Sequence, residues 1–123
     1  VVDDRVKDMI ISGGENIYPA ELEAHLHGLD GVLEAAVVGR QDSRWGETPV
    51  AIVVLEQSSL LDKDTILKSF AGQLARFKHP SEVFFLPTLP RNVMGKVQKF
   101  LLREMVWAPA IKWGLINAII YGK

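Results

Sequence analysis

Ten residues near the C-terminal end, Pro90-Arg91-Asn92-Val93-Met94-Gly95-Lys96-Val97-Gln98-Lys99, set three basic side chains around one turn. Pro90 pins one end of the segment, and Gly95 permits backbone angles that other residues avoid. Lys96 follows that glycine directly, so it sits at the tip or exit of a loop on a long stem. An ammonium presented in this way suits an anionic oxygen of a phosphate or a carboxylate, acting as a flexible point charge. Taken alone, the segment also reads as a solvated loop. Three histidines, His25, His27 and His79, are too scattered to suggest a metal cage. The chain has no cysteine, which excludes disulfides, thiol catalysis and cysteine-ligated metals.

These residues need a scaffold, and the hydrophobic pattern supplies one. Val6 to Ile11 reads as a strand, Gly13-Gly14 as a tight turn and Asn16 to Tyr18 as the return, giving a small hairpin. Pro19 suits a first helical position, with Glu21 and Glu23 in the early turns, so a helix is expected from Pro19 to His27. Val32 to Gly39 is rich in strand formers, and Gln41 to Glu47 is polar and turn-like. Pro49 to Leu55 is almost uniformly apolar, which predicts a central strand covered on both faces. Ile66, Leu67, Phe70, Leu74 and Phe77 recur at helical spacing and predict a helix from about Lys63 to Ala75, capped by Asp62. Val83 to Leu86 reads as a further strand and Gln98 to Trp107 as a last helix. The order β-β-α-β-β-α-β-α predicts an α+β fold: a small sheet, with a three-stranded core plus the N-terminal two-stranded hairpin, and helices packed on it.

The 123 residues suffice for one core. A net charge of −1 gives no basic excess to attract nucleic acid. No run reaches the roughly 18 apolar residues of a membrane span. No signal peptide is visible, which points to a cytoplasmic protein. The start lacks methionine and is charged at once, as expected of a piece of something longer.

Five segments, in order, resemble the C-terminal domain of acyl-CoA synthetases, members of the adenylate-forming superfamily. They are Asp4-Arg5-Val6-Lys7-Asp8, Ser12-Gly13-Gly14-Glu15-Asn16-Ile17-Tyr18-Pro19-Ala20-Glu21, Arg44-Trp45-Gly46-Glu47, Ala75-Arg76-Phe77-Lys78-His79-Pro80 and the lysine loop. The resemblance implies a C-terminal mobile domain over residues 1–107 and leaves 108–123 as an apolar tail. It also implies ATP and CoA as substrates and a carboxylic acid joined first to AMP and then to CoA. Mg²⁺ would come with ATP but be bound outside this segment. A large N-terminal adenylation domain would be the partner, in the same polypeptide, and the segment alone would be inactive.

The same resemblance assigns roles. Lys96 would stabilise the charge that develops as the adenylate forms. Lys7 falls at the hinge, and Arg5 would approach the ATP ribose or phosphates. Ser12, Gly13, Gly14, Glu15 and Asn16 would line or flank the path of the CoA pantetheine. Trp45 and Phe77 would stack on its adenine, while Lys78 and His79 would meet its phosphates. Each has a plainer reading as packing, a turn or a surface charge. Two rival functions remain open: a domain that loads a carrier-protein thiol, and a non-catalytic docking module of the same fold. The lysine loop looks somewhat like the malonyl-CoA synthetases, whereas the hairpin resembles fatty acyl and aryl acid ligases. The acid is therefore not named. The tail is open among packing on the domain or on a neighbouring chain, a foreign extension and a membrane-surface helix.

Overall fold

The structure, a computed structural model, describes residues 9–107. Arg5, Lys7 and the tail at 108–123 lie outside the described residues. The elements run β1 (Ile10–Ser12), β2 (Glu15–Ile17), α1 (Pro19–His27), β3 (Val32–Asp42), β4 (Gly46–Leu55), α2 (Lys63–Lys68), β5 (Glu82–Phe85) and α3 (Lys99–Trp107). A single 3₁₀ turn, Arg76–Lys78, precedes β5. The element order follows the sequence expectation.

All five strands form one sheet in the order β2-β1-β4-β3, with β5 also beside β4. One edge of β4 pairs antiparallel with β3, from Val32↔Leu55 to Asp42↔Gly46. Its other edge takes β5 in parallel from Val50↔Glu82 to Val53↔Phe85, and β1 at Ser12↔Gly46. Side-chain alternation then divides the core into two layers. Ala51 and Val53 join Leu22 and Leu26 of α1, with Ile66 and Phe70, on one face. Val50, Ile52 and Val54 join Leu102, Met105 and Val106 of α3 on the other. Burying each large apolar side chain contributes roughly 1.5–3 kcal/mol. Exposed ion pairs contribute about 0–1 kcal/mol, so the two apolar layers, not surface charges, set the architecture.

Helix α1 does more than cover a face. Pro19 starts it with a pre-set φ, where no backbone N–H is required. Its Glu23 carboxylate accepts the Val37 N–H at 2.9 Å, and His27 Nε2 accepts the Ala35 N–H at 3.2 Å. These N–H groups lie on the edge of β3 that faces away from β4, so α1 seals an edge otherwise open to pairing.

Beyond shifts of one or two residues, and a first strand that spans Ile10–Ser12 with Met9 outside it, the β3–β4 hairpin and α2 differ from the sequence reading. The β3–β4 hairpin continues through the polar stretch at Arg40↔Thr48, Gln41↔Glu47 and Asp42↔Gly46, leaving a tight turn at 43–45. Asp42 Oδ1 stabilises that turn by accepting the Arg44 and Trp45 N–H groups. Helix α2 ends at Lys68, not Ala75. The Ser69 hydroxyl donates to the Ile66 carbonyl, a side-chain bond that competes with helix continuation. The chain then tightens into turns and reverses at Gly72, with φ +76°. The periodic apolar residues part company there: Phe70 is buried, whereas Phe77 is exposed.

His25 joins α1 to this turn. Its ring lies 4.2 Å from Phe70, centroid to centroid, and Nε2–H donates to Ser69 Oγ at 2.9 Å. Partial burial, reinforced by the neighbouring His79, holds the His25 imidazole below its ordinary value of 6.5. The unfolded chain therefore binds this proton more readily. The stability linked to His25 is fully present above pH 6.5 and is lost as pH falls through 6.5 towards the folded value. NMR titration should find His25 protonating below 6.5. A His25→Gln variant should lose part of the acid-side slope of melting temperature against pH. Titration of His25 above 6.5 in the folded chain would contradict this account.

Candidate functional site

The β1–β2 turn is two glycines, Gly13 at φ +56° and Gly14 at φ +83°. A two-residue hairpin turn with both φ values positive is the geometry that favours glycine in each place. The Gly13 N–H donates to Trp45 O at 2.8 Å, locking this turn to the β3–β4 turn. The indole ring crosses Gly13 so closely that a Cβ there would lie 3.0 Å from Trp45 Cε3. The Arg44 guanidinium sits over the same ring, 4.8 Å from its centroid. Trp45 nevertheless remains 47% exposed, a large aromatic surface held in place but open to solvent.

Between this pair and the 3₁₀ turn lies a cleft of about 610 Å³, a size ordinary for a small-molecule site. Of the residues expected from sequence, Ser12, Gly13, Glu15, Trp45, Phe77 and His79 line it. Phe77 is 42% exposed and faces the cleft instead of the core. Sequence reasoning missed Thr48, Pro49, Arg76 and Ser81, which also line it. Thr48 is buried, and its hydroxyl bonds Ser81 Oγ at 3.0 Å, while Ser81 Oγ donates to Pro49 O. These hydroxyls give one wall a polar strip among apolar surfaces.

Gly14, Asn16 and Lys78 are not lining residues. The Lys78 ammonium instead donates to both carboxylate oxygens of Glu21, at 3.0 and 3.1 Å, which ties the 3₁₀ turn to α1. Arg76, two residues earlier, is exposed, lines the cleft and has no ion-pair partner among the described residues. His79 donates from Nε2 to Leu74 O at 3.0 Å.

Lys96 lies elsewhere. Arg91 and Val97 bridge antiparallel, closing a tight turn. Asn92 organises it: Oδ1 accepts the Met94 and Lys96 N–H groups, its carbonyl accepts from Gly95, and its N–H donates to Lys96 O. Gly95 takes φ +84°. The Arg91 guanidinium bonds Gly95 O and Glu34 of β3, and Lys99 pairs with Glu23 of α1 at 2.7 Å. Arg91 and Lys99 thus fasten the loop along the β3 side of the sheet, and the Lys96 side chain is exposed. The cleft lies along the β1–β5 side, with β4 between them. No group of three or more potential metal ligands occurs among the described residues.

The close approach at Gly13 makes a direct test. Gly13→Ala combines a left-handed backbone, costing roughly 1–2 kcal/mol, with a Cβ that the indole must vacate. The variant should melt earlier and show a displaced Trp45 indole N–H resonance. An unchanged indole environment would mean that the hairpin does not position Trp45.

Comparison with known proteins gives a consistent picture. The chain matches the family described as AMP-binding enzyme C-terminal domain over residues 21–96. It is 52% identical over 105 residues to an indoleacetate–CoA ligase of Aromatoleum aromaticum, covering 85% of this chain and 21% of that protein. It is 45% identical over 112 residues to the fatty acid–[acyl-carrier-protein] ligase ScoC of Streptomyces coeruleorubidus, covering 89% of this chain and 21% of that protein. The crystal structure of apo MatB from Rhodopseudomonas palustris aligns at a TM-score of 0.78 and 46% identity, over 80% of this chain and 20% of MatB. The chain spans about a fifth of the length of the curated relatives it matches. It belongs to the AMP-binding enzyme C-terminal domain family.

Proposed function

We propose that this domain serves an ATP-dependent, AMP-forming carboxylic acid–CoA ligase and works together with a large N-terminal adenylation domain of the same polypeptide. The observation that carries this reading is the placement of two ligand-suited elements on opposite edges of one sheet. A basic turn presents Lys96 on the β3 side, and a glycine–aromatic cleft opens on the β1–β5 side.

The chemistry divides in the same way. In the first half-reaction a carboxylate oxygen attacks the α-phosphorus of ATP, and pyrophosphate leaves with the bonding pair. Lys96 stabilises the charge on the carboxylate and the α-phosphate as that bond forms. In the second, the CoA sulfur attacks the acyl carbon and AMP leaves, the thiol proton passing to the surroundings. The cleft then takes the CoA arm: Gly13 gives the pantetheine close backbone approach, Ser12 and Glu15 flank its path, and Gly14 and Asn16 adjoin it in the same hairpin without lining the cleft. Trp45 and Phe77 offer faces on which adenine stacks. Arg76 replaces Lys78 as the cation best placed for the CoA phosphates, because Lys78 is committed to Glu21. Rotation of the domain about Lys7 exchanges the two edges at the active site, with Arg5 near ATP. Mg²⁺ accompanies ATP and is held outside the described residues. The compartment proposed is the cytoplasm, where ATP and CoA are both present.

A carrier-protein acceptor is the second reading, favoured by the resemblance to ScoC. A carrier's pantetheine would use the same glycines but would leave the adenine platform unused.

Lys96→Ala in the intact enzyme should slow adenylate formation by roughly 10²–10³-fold, the effect of losing one preorganised donor. Given presynthesised acyl-adenylate, the same variant should transfer to CoA at nearly the parental rate. Equal slowing of both steps would refute the two-edge division. Trp45→Ala should do the reverse, raising KM for CoA about five- to 150-fold if a full base-stacking contact is lost. Arg76→Ala should also weaken CoA use, with a salt dependence smaller than the parent's. Unchanged KM for CoA in a folded Trp45→Ala variant, with acyl transfer to a carrier protein retained, would favour the second reading.

A further inference from the structure

The hairpin that carries Gly13 and Gly14 is anchored in the core by Ile10 and Ile17, but its hydrogen bonding to β4 is sparse. Strand β1 meets β4 at a single registered pair, Ser12↔Gly46. Beside that pair the Ile11 N–H points towards β4, where a neighbouring strand would offer a carbonyl. It donates instead to a side chain, Glu47 Oε1, at 3.2 Å. The other carboxylate oxygen reaches back over β3: a Cβ built at Gly39 would lie 2.8 Å from Glu47 Oε2 and 3.3 Å from Ile10 Cγ1. Glu47 therefore spans three strands, and the missing side chain at Gly39 is the space that lets it do so. The neighbouring Gly13 N–H to Trp45 O bond completes the attachment.

We propose that Glu47 is a positioning residue for the thiol-transfer half-reaction, holding the glycine hairpin against Trp45 and so fixing the width of the cleft. The inference rests on the functional reading above and adds a residue to it. Glu47 is not among the cleft-lining residues, so its action passes through Ile11 and Gly13. Its carboxylate accepts a backbone N–H at 3.2 Å, the long end of the hydrogen-bond range. Without it, the hairpin keeps its own turn and its pairing with β2, but its angle to β4 is less constrained. The lysine loop lies beyond β4, along the far side of β3, and does not depend on this contact.

The test compares three variants in the intact enzyme, with each half-reaction assayed separately. Glu47→Ala should raise KM for CoA about two- to tenfold, the loss expected for one ordinary hydrogen bond, with adenylate formation unchanged. Glu47→Gln keeps an oxygen that accepts the Ile11 N–H and should recover most of the loss. Gly39→Ala, at a backbone angle open to any residue, should mimic Glu47→Ala by displacing the carboxylate. It also stands as the second route should Glu47→Ala fail to fold. Parental KM for CoA in both Glu47→Ala and Gly39→Ala overturns the proposal. So does equal slowing of both half-reactions, or the absence of rescue by Gln. A Trp45→Ala control separates the levels. If Trp45→Ala impairs CoA use while Glu47→Ala does not, only this inference fails. If neither does, the CoA reading of the cleft fails with it.

Discussion

Strand β4 has no free face and, over its central residues, no free edge. Val50 to Val54 are buried between two layers of apolar side chains, and β3 and β5 take the two lines of backbone hydrogen bonds. Five consecutive apolar residues would be a liability on a one-sided sheet, and here they require helices on both faces. The rest of the domain is hung from this strand. Whatever lies along β3 is separated by the full width of β4 from whatever lies along β1 and β5. The lysine loop has the first position and the cleft the second. On the function proposed, the same strand that stabilises the fold keeps the two ligand-facing elements apart.

The charged residues show how much of their chemistry is structural. Arg91 and Lys99 look suited to an anion in the sequence, yet both are committed to carboxylates of the scaffold, Glu34 and Glu23. Lys78 and Arg76 make a contrast around the cleft, with Lys78 fixed on Glu21. Glu23 has a double task, since it also caps the Val37 N–H on the outer edge of β3. Individually such partly exposed pairs are worth little. Their value is directional: they set which face the loop and the 3₁₀ turn present.

The layering was legible in the sequence because apolar runs and helical spacing report burial directly. Pro49 to Leu55 announced its place, and Pro19 announced the start of α1. The polar end of the β3–β4 hairpin was not legible, because Arg40 to Asp42 and Gly46 to Thr48 are paired by backbone bonds without an alternating apolar pattern. The length of α2 was misread because Phe77 continues the apolar spacing but serves the cleft, and the local bond from Ser69 leaves no hydrophobic signature. The cleft was half legible. Its glycines and Trp45 stand out by type, whereas Thr48 and Ser81 meet only when β5 docks parallel to β4, a contact between residues far apart in the chain. Choosing Arg76 over Lys78 needed the position of Glu21 on α1, which no local pattern reveals.

The two elements also differ in how they are held, and the difference suits their proposed tasks. The lysine turn is closed by three hydrogen bonds to Asn92, a fourth from it to Lys96 O and a guanidinium across its mouth. Its backbone is ordered before any ligand arrives, so little further entropy need be lost in aiming Lys96 at a forming bond. The cleft has one wall on the core strand β4 and another on a hairpin joined to it by one registered pair, one backbone bond and one carboxylate. That wall presents two glycines to the cleft's edge, which suits the close passage of a long, flexible arm more than it suits bond-making. Exchanging the two elements at an active site would then require only rigid-body motion of the sheet that carries both. On that proposal the hydrogen bonds within each element would persist through the motion, and the cost of switching would fall on contacts outside the domain.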